Sequence, residues 1–207
     1  MRRGGGTGFG RALAEPGAVE RVELRSPFGF MAFHGGALER QTDRIAAAAA
    51  DAAGASLYLV AHPGPAPPHF PSTSVSGDAS AALQSFLDHV RVVVTVHGYG
   101  RDGMFTTLLL GGRNRALAET LRDGLEAALP DYEICDDLEA IPRELRGLHP
   151  ANPVNVPPEA GVQLELPPRV RGLGPRWAGW EGDGFVPPAA ALVAALAEVA
   201  RSWVASS

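Results

Sequence analysis

The sequence predicts an α/β fold, a mixed and mostly parallel central sheet sandwiched between helices. Three observations carry that prediction. Short apolar segments alternate with longer segments of helical character along the chain. One of them, RVVVTV at Arg91–Val96, is a β-branched run without polar alternation, the pattern of a strand buried on both faces. No internal repeat and no linker divides the sequence, so residues 1–207 read as one domain, with residues 1–17 expected to be flexible.

Taken in order, Val19–Leu24 and Phe28–Phe33 read as strands separated by a Ser26-Pro27 turn. Glu39–Ala53 is an alanine-rich helix stopped by Gly54, and Ser56–Val60 a short apolar strand. The segment AHPGPAPPHFPSTS that follows holds too much proline for a helix or a central strand and is expected to be a surface loop. Ser80–His89 reads as a helix, Arg91–Val96 and Thr106–Leu110 as buried strands, and Arg113–Leu129 as an amphipathic helix ended by Pro130. Tyr132–Cys135 is a strand, Asp137–Arg146 is expected to be helical, and HPANPVNVPPEAG is a second irregular loop. Gly161–Leu166 is a strand, and Pro187–Val204 the last helix, with proline in its first turn where a missing N–H costs little.

Composition narrows the function classes. Apolar residues make up 45% and charged residues 20%, which fits a packed globular chain rather than a disordered one. The formal charge is −5, and the six arginines between Arg101 and Arg146 are interleaved with acidic residues, so no nucleic-acid partner is expected. The opening MRRGGGTGFG is not followed by an apolar stretch, and its glycines have neither the preceding strand nor the lysine of a phosphate-binding loop. No run of 18 consecutive apolar residues occurs, so no membrane span and a cytoplasmic location are expected. The single cysteine, Cys135, makes no internal disulfide and excludes a four-cysteine zinc site. It reads as a small buried hydrophobe at a strand end; a thiol hydrolase built on it would need a partner that the sequence does not offer.

The chemistry gathers at strand ends. His34 directly follows FGFMAF and precedes Gly35-Gly36; His97 directly follows RVVVTV and precedes Gly98. In open α/β sheets ligands bind beyond the carboxyl ends of the strands, which is where both imidazoles fall. Glu39 lies five residues after His34, and residues five apart on one helix point about 140° apart. The two glycines break the chain between them, so Glu39 can turn back from the first helical turn, although a glutamate there is also favoured by the helix dipole. His34, Glu39 and His97 then form the two-histidine, one-carboxylate set of a catalytic zinc site. In Gly161–Leu166, Val162, Leu164 and Leu166 share one face, Gln163 and Glu165 the other. A glutamate in so apolar a strand needs a role or a partner, which makes Glu165 the candidate general base; an exposed glutamate on an edge strand is the plain alternative.

These segments together resemble the poly-γ-glutamate hydrolase family. FMAFHGGALERQTDRIA is similar to its first motif, VVVTVHGYG to its second, PHFPSTS to its histidine-bearing loop, LLLGGRN to its Gly-Gly-x-Asn turn, and NPVN with GVQLELPPRVR to its last motifs. The resemblance runs from about Phe28 to Arg171. It implies a fold like that of the zinc carboxypeptidases, one zinc ion held by His34, Glu39 and His97, and Glu165 as the catalytic glutamate. The four-residue gap between His34 and Glu39 departs from the carboxypeptidases proper, which have two. That gap is shared with N-formylglutamate amidohydrolases, so both γ-glutamyl polymers and small N-acyl or N-formyl amino acids fit as amide substrates. A metal-free binding module that keeps the fold is a third reading.

Substrates of such enzymes carry carboxylates, which arginine grips with a bidentate fork. Arg113 and Asn114 follow Gly111-Gly112 and are expected at the same sheet edge as the metal, though Asn114 also suits a helix cap. Arg101, after His97, and Arg169, after the Glu165 strand, are further candidates. His69, in the proline-rich loop, would line the cleft or stand free on the surface.

Overall fold

A computed structural model describes residues 8–64, 69–182 and 184–206. Seven strands, β1 (Val19–Glu23), β2 (Phe28–Gly36), β3 (Ser56–His62), β4 (Val92–Gly98), β5 (Thr107–Gly111), β6 (Glu133–Cys135) and β7 (Gly161–Leu166), form one sheet in the order β1-β3-β2-β4-β7-β5-β6. The pairs β3–β2, β2–β4, β4–β7 and β5–β6 run parallel, and β1–β3 and β7–β5 run antiparallel. The sheet is therefore mixed and mostly parallel, as the sequence predicts.

Among the described residues five helices cover it: α1 (Gly8–Leu13), α2 (Thr42–Ala53), α3 (Ala81–His89), α4 (Arg115–Ala128) and α5 (Pro187–Ser206). Period-two alternation in β2 sends Phe30 and Ala32 to one face and Met31 and Phe33 to the other. The first face packs against Ile45 and Ala49 of α2, Leu117 and Leu121 of α4, and Leu192 and Leu196 of α5. The second packs against Phe9 of α1 and Leu83 and Phe86 of α3. Each such aliphatic or aromatic side chain, fully buried, contributes about 1.5–3 kcal/mol. By length and composition α5 would reach across a bilayer. Here its buried stripe docks on the sheet beside α2, and Arg201 donates to the Ala52 carbonyl at 2.8 Å.

Three local expectations change. The glycines at 4–6 lie outside the described residues, but the flexible end expected through residue 17 gives way to a helix at Gly8. Its Phe9 is fully buried against Phe70, the ring centroids 5.5 Å apart, a tertiary contact that glycine-rich sequence conceals. Asp137–Arg146 is not a helix; only Arg143–Leu145 forms a single 3-10 turn, because Pro142 interrupts the run and lacks the N–H a helix interior needs. Helix α2 begins at Thr42 rather than Glu39, since Gln41 just before it takes a left-handed conformation (φ 78°).

Candidate metal centre

The two histidines reach one point by different local devices. In β2 the pairing register with β3 shifts between Ala32 and Gly35, a bulge at His34 that re-aims its side chain. Gly36 then turns the chain with φ 71°, where a Cβ would lie 2.4 Å from the His62 carbonyl oxygen, so only glycine fits. The turn closes with Glu39 N–H donating to the His34 carbonyl at 2.8 Å. Glu39 thus belongs to this turn and not to the helix. In β4, His97 is the penultimate residue, paired in register with Glu165 of β7.

Glu39 is the hub. His34 Nδ1 lies 2.9 Å from its Oε1 and His97 Nδ1 3.3 Å from its Oε2, while the Gly98 N–H donates to Oε2 at 2.8 Å. The ligand atoms of His34, Glu39 and His97 all lie within 4.8 Å of one another. Donors bound tetrahedrally at ~2.1 Å to one zinc ion would be roughly 3.4 Å apart, so these three are spaced to share an ion after small adjustments. Phe33 meets both imidazoles edge-on from below, with centroids at 4.8 and 4.9 Å.

The donor set fits a cation for a specific reason. His34 Nε2 is 3.0 Å from the Phe70 carbonyl oxygen and Nδ1 2.9 Å from Glu39 Oε1, and both of these oxygens only accept, whereas a neutral ring carries one proton. Burial holds His34 below its ordinary pKa, which keeps the ring neutral near pH 7. With that proton on Nε2, Nδ1 is a bare lone pair facing a carboxylate oxygen. Burial pushes Glu39 up, but the neighbouring histidines, His97 foremost, outweigh it and keep Glu39 ionised. Two acceptors at hydrogen-bonding distance call for a positive ion between them. Burial lowers His97 too, but the Glu39 charge beside it raises it overall.

Glu165 does not stand on an edge strand. β7 lies between β4 and β5, and Glu165 is only 4% exposed. Burial lifts its carboxyl to about 7, partly offset by His97. Its Oε1 accepts from Gln163 Nε2 at 2.8 Å, and Gln163 Oε1 accepts from Asn152 Nδ2 at 2.8 Å. The sequence puts Gln163 on the Glu165 face without assigning it work; the structure makes it the group that orients Glu165. Arg171, 8% exposed, donates to the Tyr99 and Arg40 carbonyls and favours the charged forms of both Glu39 and Glu165. Only its place in the last motif could have marked it.

A cleft of about 790 Å³ opens over this cluster. His69 lines it, its ring centroid 5.5 Å from that of His34. The other four predicted anchors do not. Arg113 and Asn114 follow β5, which runs antiparallel to β7, so they emerge at the opposite edge; the Asn114 N–H donates to the Gly161 carbonyl at the start of β7. Asn114 caps α4 by accepting from the Leu117 N–H, and Arg113 donates to the Leu148 carbonyl. Arg101 is paired with Glu144. Arg169 lines a separate cavity. The guanidiniums that do line the cleft are Arg143 and Arg146, from the segment expected to be helical. Arg146 is bonded to the Ile141 and Glu139 carbonyls, whereas Arg143 makes no hydrogen bond or ion pair among the described residues.

The sequence matches the family model described as poly-gamma-glutamate hydrolase over residues 13–173. A bacteriophage poly-gamma-glutamate hydrolase superposes with a TM-score of 0.75 at 22% identity, over 92% of this chain and 91% of that one. YNDL in an apo, zinc-free form superposes with a TM-score of 0.69 at 20% identity, over 88% of each chain. An N-formylglutamate amidohydrolase from Ralstonia eutropha JMP134 gives a TM-score of 0.47 at 12% identity, covering 91% and 97%. No curated protein matches the sequence. The first two likenesses bear on the fold.

Proposed function

The chain belongs to the poly-gamma-glutamate hydrolase family, and from that premise we propose that it is a zinc-dependent hydrolase of γ-glutamyl amide bonds. The observation that carries this reading is the convergence of His34 Nδ1 and His97 Nδ1 on the two oxygens of Glu39, with the buried Glu165 one strand away. His34, Glu39 and His97 would hold a zinc ion here, whose Lewis acidity would polarise the scissile carbonyl and lower the pKa of water.

The chain's own groups supply the rest. Gln163 holds Glu165 Oε1, which leaves Oε2 to accept the proton of the attacking water and pass it to the leaving amide nitrogen. Burial, which favours the protonated form of this carboxyl, helps it take up the water's proton. Phe33 closes the floor beneath both imidazoles and keeps water from that side. Arg143, which lines the cleft and is unpaired among the described residues, takes a substrate carboxylate. The cleft's 790 Å³ favours a polymer segment over a small N-formyl amino acid.

The test is release of new amino groups from poly-γ-glutamate by purified protein, with poly-α-glutamate as the control. Activity on the γ-linked polymer that stops with a chelator and returns with zinc supports the reading. Equal action on both polymers, or indifference to the chelator, would rule it out.

A further inference from the structure

A second cavity, of about 680 Å³, lies among the end of α4, the approach to β6, the loop after β7 and the start of α5. Two guanidiniums face it, Arg169 and Arg176. Neither makes a hydrogen bond or ion pair through its side chain among the described residues; Arg176 stacks over the Trp177 ring at 5.7 Å. Trp177 is itself anchored, its Nε1–H donating to the Arg169 carbonyl at 2.9 Å, and it meets Trp180 edge-on at 6.1 Å. Both arginine charges act on the Tyr132 hydroxyl at the cavity wall. Asp131 on the rim leaves the formal charge of the cavity positive, on a chain whose net charge is −5. Two cations left unpaired beside aromatic rings, on an otherwise acidic protein, are an arrangement for binding anions.

The cavity also shares an edge with the metal cluster. His97 pairs with Glu165 and Gly98 with Leu166 at the carboxyl end of β7. The antiparallel register of β5 on β7, and the parallel register of β6 on β5, put the starts of β5 and β6, and hence Tyr132, at that same end. Arg169 is four residues beyond Glu165, so their Cα atoms are at most ~14 Å apart.

We propose that the Arg169–Arg176 cavity is a second subsite that holds carboxylates of an acidic polymer while another stretch of the same chain lies in the catalytic cleft. This deepens the γ-glutamyl reading and rests on it. Two linked contacts raise the apparent affinity for a long chain and leave a ligand too short to span them unaffected.

The experiment compares wild type with the Arg169→Gln/Arg176→Gln double variant, using zinc-loaded protein. On long poly-γ-glutamate the variant's KM rises about tenfold with kcat unchanged, and the difference narrows at high salt. On a short γ-glutamyl oligomer the two proteins are alike. A second measurement follows tryptophan fluorescence of Glu165→Gln protein titrated with the long polymer, with Trp177 and Trp180 reporting on the cavity. The signal is lost when both arginines become Gln and kept when both become Lys, which guards against a folding defect. An unchanged polymer KM together with an unchanged fluorescence response would overturn the subsite. If wild type cleaves neither substrate, the hydrolase reading fails, and the fluorescence titration still decides whether the cavity binds the polymer.

Discussion

The Phe70 carbonyl oxygen sits 3.0 Å from His34 Nε2 while Glu39 Oε1 sits 2.9 Å from His34 Nδ1, so both nitrogens of this buried ring face an acceptor. With the proton drawn to Nε2, the Nδ1 lone pair points at a carboxylate oxygen 2.9 Å away. Without an ion between them these are two acceptors in contact, which a bound cation would relieve. Zinc at about 1,000 times its Kd is therefore expected to stabilise the protein by ~4 kcal/mol, roughly 10 °C in Tm. A calorimetric scan with zinc and with chelator measures this, and His34→Ala should abolish the zinc-dependent shift.

Glu165 accepts one hydrogen bond from Gln163 and lies outside the cluster of His34, Glu39 and His97 that could hold a metal ion. Glu165→Gln is expected to lower kcat by at least ~10² while leaving bound zinc at one per chain. Steady-state kinetics beside elemental analysis separates the roles; loss of zinc in this variant would make Glu165 a ligand instead of a base.

The pH response of the metal-free protein has a definite sign. Burial lifts Glu165 to about 7 from an ordinary 4.5, so the folded state holds its proton more tightly than the unfolded state. That contribution is complete below pH 4.5 and fades as pH rises to about 7, by at most ~3 kcal/mol. In urea unfolding of chelated protein, wild type should lose stability relative to Glu165→Gln across this window. A difference that stays flat would mean the carboxyl is not held protonated.

Gly36 has φ 71° and would drive a Cβ to 2.4 Å from the His62 carbonyl oxygen. Gly36→Ala is expected to cost at least ~2 kcal/mol and to shift Glu39 off the two imidazoles. Zinc affinity measured by competition with a chelating dye should fall along with the urea midpoint; a fall in the midpoint alone would uncouple the turn from the site.

Arg143 lines the cleft and has no hydrogen-bond or ion-pair partner among the described residues. Arg143→Gln is expected to raise KM about 10–100-fold for a substrate with free carboxylates, the worth of a lost charge-assisted pair, with a smaller change in kcat. A substrate whose carboxylates are amidated should not distinguish wild type from variant.

Much of this was legible in the sequence. RVVVTV announced β4 because a strand covered on both faces shows no polar alternation, and it lies between β2 and β7. The convergence of His34, Glu39 and His97 could be read because glycine follows each histidine and frees the chain to turn. What could not be read is strand direction. Arg113 looked close to the His34, Glu39 and His97 cluster because it follows a strand, but β5 runs antiparallel to β7 and carries it to the far edge. Local pattern fixes the period of a strand and says nothing of its orientation among neighbours. Arg143 was hidden for a related reason: Asp137–Arg146 has helical composition, and Pro142 turns it into a wall of the cleft.

The most direct test of the central claim is an anomalous difference map, recorded at the zinc absorption edge, from crystals grown with zinc. One peak about 2 Å from His34 Nδ1, from a Glu39 oxygen and from His97 Nδ1 is the predicted result. A map without a peak there, or with its strongest peak on other side chains, would contradict it.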